Sequence, residues 1–199
     1  MGEGYSFILI EGDQTSRINE IIEAFDGHDI QDVGEAENFD YRNKIGYVKG
    51  GMCYFIIGVC KGWTIIEQID PPVCCKESCI KVSSLINGKV VNIGYETHVM
   101  YFEVIVADKG HIETRLKINY CHLLINEGIQ YPSYYPIPTR EVGADGKRKY
   151  LYTQADVFGI AEKITGVDVY DLVTGNKTEK MEKIWIKVAN KMLKTPGME

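Results

Sequence analysis

Val99-Met100-Tyr101-Phe102-Glu103-Val104-Ile105-Val106-Ala107-Asp108-Lys109-Gly110-His111-Ile112-Glu113-Thr114-Arg115-Leu116-Lys117-Ile118 reads as two strands joined by a tight turn. Val99-Val106 reads as the first of these strands. In His111-Ile118 the apolar and β-branched residues Ile112, Thr114, Leu116 and Ile118 alternate with His111, Glu113, Arg115 and Lys117, which gives that strand one wetter face. Asp108-Lys109-Gly110 supplies the turn chemistry of a short hairpin, so the pair is antiparallel.

The same pattern extends outward. Lys89-Tyr95 precedes the hairpin as a further strand, and Tyr5-Ile10 reads as a central one. Ile45-Lys49 and Met52-Val59 flank Gly50-Gly51, and Lys61-Gly62 turns the second of these into Trp63-Ile69. These connections are too short for parallel crossovers. Helical spacing occurs at Ile18, Ile21, Ile22 and Phe25, with Asp13 or Thr15 as cap, and again at Cys75, Cys79, Val82 and Ile86, stopped by Asn87-Gly88. A third helix is expected over 154–165, opened by Thr153 and ended by Gly166, and a fourth from about Glu179 to Leu193. Residues 26–44 have no clear period and read as a surface loop or short irregular helix. The expected fold is a single α+β domain over residues 1–199, with a mostly antiparallel sheet of six or seven strands flanked by three or four helices.

Nothing in the sequence approaches the roughly 20 apolar residues that cross a bilayer, and the start lacks the build of a secretion signal, so the expected compartment is the cytoplasm. Gly2 with Ser6 matches the myristoylation pattern, but no basic cluster supplies a second anchor. No membrane association is therefore expected. The six cysteines should stay reduced in that compartment.

The formal charge of −6 is unevenly placed. From Glu11 to Asp40 there are ten acidic residues against Arg17 alone, while Lys177 to Lys194 is rich in lysine. An acidic lobe disfavours nucleic acid and suits a basic protein partner or plain solvation. Asp29, Asp32, Glu35 and Glu37 are its candidate contact residues.

Candidates for chemistry are few. Cys74, Cys75 and Cys79 form no Cys-x-x-Cys pair, and with Cys53 and Cys60 they fit core positions better than a zinc site. Cys121-His122 are adjacent, which on a strand points them to opposite faces and disfavours a nucleophile and base. Glu67, Asp70, Glu103 and Glu113 lie on or beside neighbouring strands and could supply a carboxylate pair, although exposed sheet charges are the ordinary expectation. No phosphate-binding loop or dinucleotide fingerprint occurs, and no metal or cofactor is expected.

Two surfaces could recognise a partner. The loop Tyr131-Pro132-Ser133-Tyr134-Tyr135-Pro136-Ile137-Pro138 offers Tyr131, Tyr134 and Tyr135 as anchors on a stiffened backbone, or folds its rings over the core. The last helix would carry Met181, Ile184, Trp185, Val188 and Met192 on one stripe with Lys183, Lys187, Lys191 and Lys194 beside it, a pattern that can bind a membrane surface or a partner groove but is more simply a core face.

Trp63-Thr64-Ile65-Ile66-Glu67, Leu85, Lys89-Val90-Val91-Asn92-Ile93-Gly94, Phe102, Asp108-Lys109-Gly110 and Ile160-Ala161-Glu162-Lys163-Ile164-Thr165-Gly166-Val167 together resemble small bacterial domains, some of which occur as immunity proteins beside polymorphic toxins. The resemblance covers roughly residues 63 to 167. It implies a cytoplasmic stoichiometric inhibitor that binds a cognate toxin, and it carries no catalytic residues. The acidic charge is consistent with a basic toxin as partner. The alternative is an enzyme or small-ligand binder with a pocket against the sheet near Glu67, Glu103 and Cys121.

Overall fold

In the computed structural model the described residues are 4–35, 52–69, 76–96, 101–119, 122–128, 139–142, 144, 146, 148–151, 154–174 and 184–191. Nine strands form one sheet: β1 (Gly4–Glu11), β2 (Gly27–Glu35), β3 (Met52–Cys60), β4 (Trp63–Ile69), β5 (Lys89–Glu96), β6 (Tyr101–Asp108), β7 (His111–Asn119), β8 (His122–Gly128) and β11 (Ile184–Lys191). Their order is β2-β11-β3-β4-β1-β5-β6-β7-β8, and every neighbouring pair is antiparallel. β9 (Thr139–Val142) and β10 (Arg148–Leu151) make a separate two-stranded ribbon. The helices are α1 (Ile18–Ala24), entered through a 3-10 turn at Thr15–Arg17, α2 (Lys76–Ile86), α3 (Gln154–Thr165) and α4 (Val169–Thr174). This is the α+β, mostly antiparallel fold that the strand pattern predicts.

Three layers explain why the central strands carry large apolar side chains on both faces. On one face, Ile8 and Ile10 of β1 pack with Phe55, Ile57, Ile66, Val90 and Ile105 under α1 and α2, which contribute Ile21, Ile22, Cys79 and Val82, with Phe25 at the C-cap of α1. On the other, Phe7 and Leu9 of β1 pack with Ile56, Ile65, Ile93, Val104 and Leu116 under α3, whose Phe158 stands edge-on to Phe7 at 6.0 Å. Each such buried side chain contributes about 1.5–3 kcal/mol by leaving water. Cys60 and Cys79 are buried thiols, one in each core.

Turn chemistry fixes the register. Lys61 and Gly62 both have positive φ (50° and 77°), as do Lys109 and Gly110 (49° and 84°), which is the twist that two-residue hairpins need. Asp13 Oδ1 accepts from the Thr15 amide at 3.0 Å where the chain enters α1, and the Gly166 amide bonds the Glu162 carbonyl at 2.7 Å where α3 stops.

Two expectations need correction. Residues 26–44 were to be loop or irregular helix, yet Gly27–Glu35 is the edge strand β2. The expected helix from Glu179 to Leu193 is instead strand β11, inserted between β2 and β3. With β8, which was not expected either, these strands join six of the expected ones to bring the sheet to nine. The strand expected at Ile45-Lys49 lies outside the described residues.

Candidate functional site

Edge strand β2 carries Asp29 and Asp32, both exposed, with Gln31 and Val33 also facing water. Its inner edge pairs with β11, and two register shifts interrupt that pairing. Among the described residues no strand pairs with its outer edge. Asp29 has a φ of 53°, a backbone state that aspartate and asparagine tolerate better than most residues. The predicted acidic lobe is therefore, at Asp29 and Asp32, the outer rim of the sheet.

Behind this strand lies an open cleft of about 400 Å3, lined by Thr15, Ser16, Ile18, Asp32, Ile57 and Lys187. Thr15 and Ser16 come from the turn that opens α1, while Ile57 and Lys187 project from β3 and β11 on the same face. Lys187 is only 8% exposed, and its Nζ lies 2.6 Å from Oδ1 of Asp32 on the adjacent strand. The carboxylate partner is the opposite case, with its side chain 77% exposed. A lysine so deep must be paired, because an isolated buried ammonium is costly. Asp32 is thus both a rim charge and the lysine's counter-ion.

A second polar network occupies the α1 and α2 face toward β8. Arg115 bonds Glu103 Oε1 through Nε at 2.9 Å and through a terminal nitrogen at 2.7 Å, while the Tyr101 hydroxyl donates to Oε2. Lys117 stands over the Tyr101 ring at 5.2 Å, and Lys76 at the start of α2 pairs with Glu127 at 2.9 Å. Burial, the largest influence on Arg115, works to lower its pKa, but the hydrogen bond and charge of Glu103, with Glu127 and Tyr101, outweigh it and hold the guanidinium above its ordinary value. The bond from Lys76 is what chiefly holds Glu127 below the usual carboxylate range.

The pocket expected near Glu67, Glu103 and Cys121 is not assembled in that form. Glu67 pairs in register with Phe7 and Ile56 and faces the α3 side, whereas Glu103 shares a face with Ile105 under α2. Strand alternation puts these carboxylates on opposite faces of the sheet. Asp70 and Cys121 lie outside the described residues, as do Glu37, Tyr131, Tyr134 and Tyr135. Glu35 ends β2, and its side chain is not described. Among the described residues no three His, Cys, Asp or Glu side chains group as a metal site, and no helix is long and apolar enough to cross a membrane.

Thr15 and Ser16 were not singled out as a site by the sequence, and Lys187 stood only among the lysines beside the expected helical stripe. The available signal was the run Ile184-Trp185-Ile186-Lys187-Val188, where a strand reading places one cation on an inward row and so demands a partner. No protein-family model, curated protein or solved structure matches this chain.

Proposed function

We propose that the protein is a cytoplasmic inhibitor of the immunity type, which neutralises a basic toxin by stoichiometric binding through the edge strand β2. The observation that carries this reading is the exposure of Asp29 and Asp32 on a strand whose outer edge no described strand covers. Exposed charges of one sign steer an oppositely charged partner, and a sheet edge offers it main-chain hydrogen bonds. The proposal gives those acids a function beyond solubility.

The test is co-expression with the product of the adjacent gene, followed by titration of that product's toxic activity. Inhibition complete at one inhibitor per toxin, with association that slows as salt is added, is the expected result. An adjacent product that neither binds this chain nor loses activity in its presence sinks the proposal.

A further inference from the structure

The cleft behind β2 has a composition that restricts what can occupy it. Lys187 contributes an ammonium with three N–H donors, and among the described residues Asp32 Oδ1 is the acceptor that its Nζ reaches. The buried ammonium therefore has donor capacity left over inside a cavity. Asp32 holds its carboxylate at the solvent side of the same cleft, and the two charges cancel. Thr15 already donates its hydroxyl to Asp13 Oδ1 at 2.7 Å, which leaves that oxygen as an acceptor toward the cleft, and Ser16 adds a second hydroxyl at the rim. Ile18 and Ile57 supply the apolar wall.

Of the charged and the apolar ligand classes, each meets an obstacle here except one. A phosphate or dicarboxylate attracted by Lys187 is repelled by Asp32, and a free amine attracted by Asp32 is repelled by Lys187. A neutral apolar molecule would strip water from both charges without replacing it. A molecule bearing a carboxylate and an ammonium satisfies both at once. The volume of about 400 Å3 lies near the lower end of ligand pockets, so the molecule is small.

We propose that the cleft lined by Lys187, Asp32, Thr15, Ser16, Ile18 and Ile57 binds a small zwitterion of the α-amino acid type. Its carboxylate takes the spare N–H groups of Lys187, its ammonium bonds the Asp32 carboxylate and the Thr15 oxygen, and its side chain lies against Ile18 and Ile57. The inference is independent of the toxin-inhibitor reading, since it concerns the chain alone and a different ligand.

The experiment uses the purified full chain without any protein partner. The standard amino acids are screened one at a time at about 10 mM for a rise in melting temperature, a concentration that detects millimolar affinity. The best is then titrated calorimetrically beside its N-acetyl and its amide forms, which carry only the carboxylate and only the ammonium. At least one amino acid should bind, and each blocked form should bind at least about tenfold more weakly. Lys187→Met should abolish binding, and so should Ser16→Phe, which fills the mouth from an exposed position and keeps the test open if the lysine variant fails to fold. Any of four results overturns the proposal: no amino acid binds, a blocked form binds as well as the free one, binding survives in a folded Lys187→Met, or binding survives in Ser16→Phe.

Discussion

Arg115 on β7 holds Glu103 on β6 diagonally across the strand pair, two guanidinium nitrogens converging on the same carboxylate oxygen at 2.9 and 2.7 Å. Their side chains are 17% and 8% exposed, so both charges are largely removed from water. A pair of this kind is best tested by breaking it in two ways. Arg115→Met leaves the buried Glu103 carboxylate with Tyr101 as its remaining described donor and should cost about 2–3 kcal/mol, somewhat below a fully buried pair. The double variant Arg115→Met with Glu103→Leu removes both charges and should recover part of that loss. Urea unfolding of the two variants checks this, and a double variant less stable than the single would contradict it.

Glu127 gives a pH dependence whose sign follows from its depressed pKa. A carboxylate with a folded value below its unfolded one, about 4.3, stabilises the protein fully above that value, and the contribution is lost as pH falls through the folded value. Glu127→Gln should therefore lower the melting temperature at neutral pH, and the difference from the parent should shrink on acidification below about 4.3. Melting curves at matched ionic strength from neutral pH into the acid limb provide the check. A difference that grows toward low pH would refute the assignment.

Gly128, at the end of β8, has a φ of 91°, and a Cβ there would lie 2.2 Å from the Glu113 carbonyl oxygen and 2.8 Å from the Thr114 Cα. Both obstacles are backbone, so no side chain can swing aside. Gly128→Ala should cost about 2–4 kcal/mol, from left-handed strain plus overpacking. A denaturation midpoint within error of the parent would mean that β8 is not held against β7 as described.

The elements legible in the sequence are those whose two faces are both buried or whose turns demand a special backbone. β5, β6 and β7 announce themselves through β-branched runs closed by Lys109-Gly110, and α2 ends at Asn87-Gly88 as its pattern requires. β2 is illegible for a physical reason. An edge strand with register shifts keeps no strict alternation, and Gly27-His28-Asp29-Ile30-Gln31-Asp32-Val33-Gly34-Glu35 contains only two large apolar residues. β11 misleads differently, because Ile184, Trp185 and Val188 satisfy a helical spacing while Ile184, Ile186 and Val188 satisfy a strand's. The β-forming character of that run decides in favour of the strand. With both strands unread, the cleft between them and the turn at Thr15 could not be foreseen. Only Asp32 of its lining residues stood among the expected contacts.

The acidic rim separates charge from structure at two neighbouring positions. Asp29 is exposed in a left-handed backbone state that asparagine also tolerates, so Asp29→Asn removes a charge and keeps the backbone conformation. Asp32→Asn removes the counter-ion of a lysine that is 8% exposed and should cost about 1–2 kcal/mol. If β2 docks a basic toxin, both variants should slow association severalfold at low salt, and the difference from the parent should fade near 1 M salt, where the Debye length is about 3 Å. Val33, 45% exposed on the same strand, is an apolar contact without charge. Val33→Ser should leave association unchanged and speed dissociation, as loss of a packed contact does. Surface-plasmon kinetics at low and high salt separate these effects. Should the two aspartate variants associate at the parental rate at low salt while Val33→Ser dissociates no faster, β2 is not the docking strand and the toxin, if bound, meets another face.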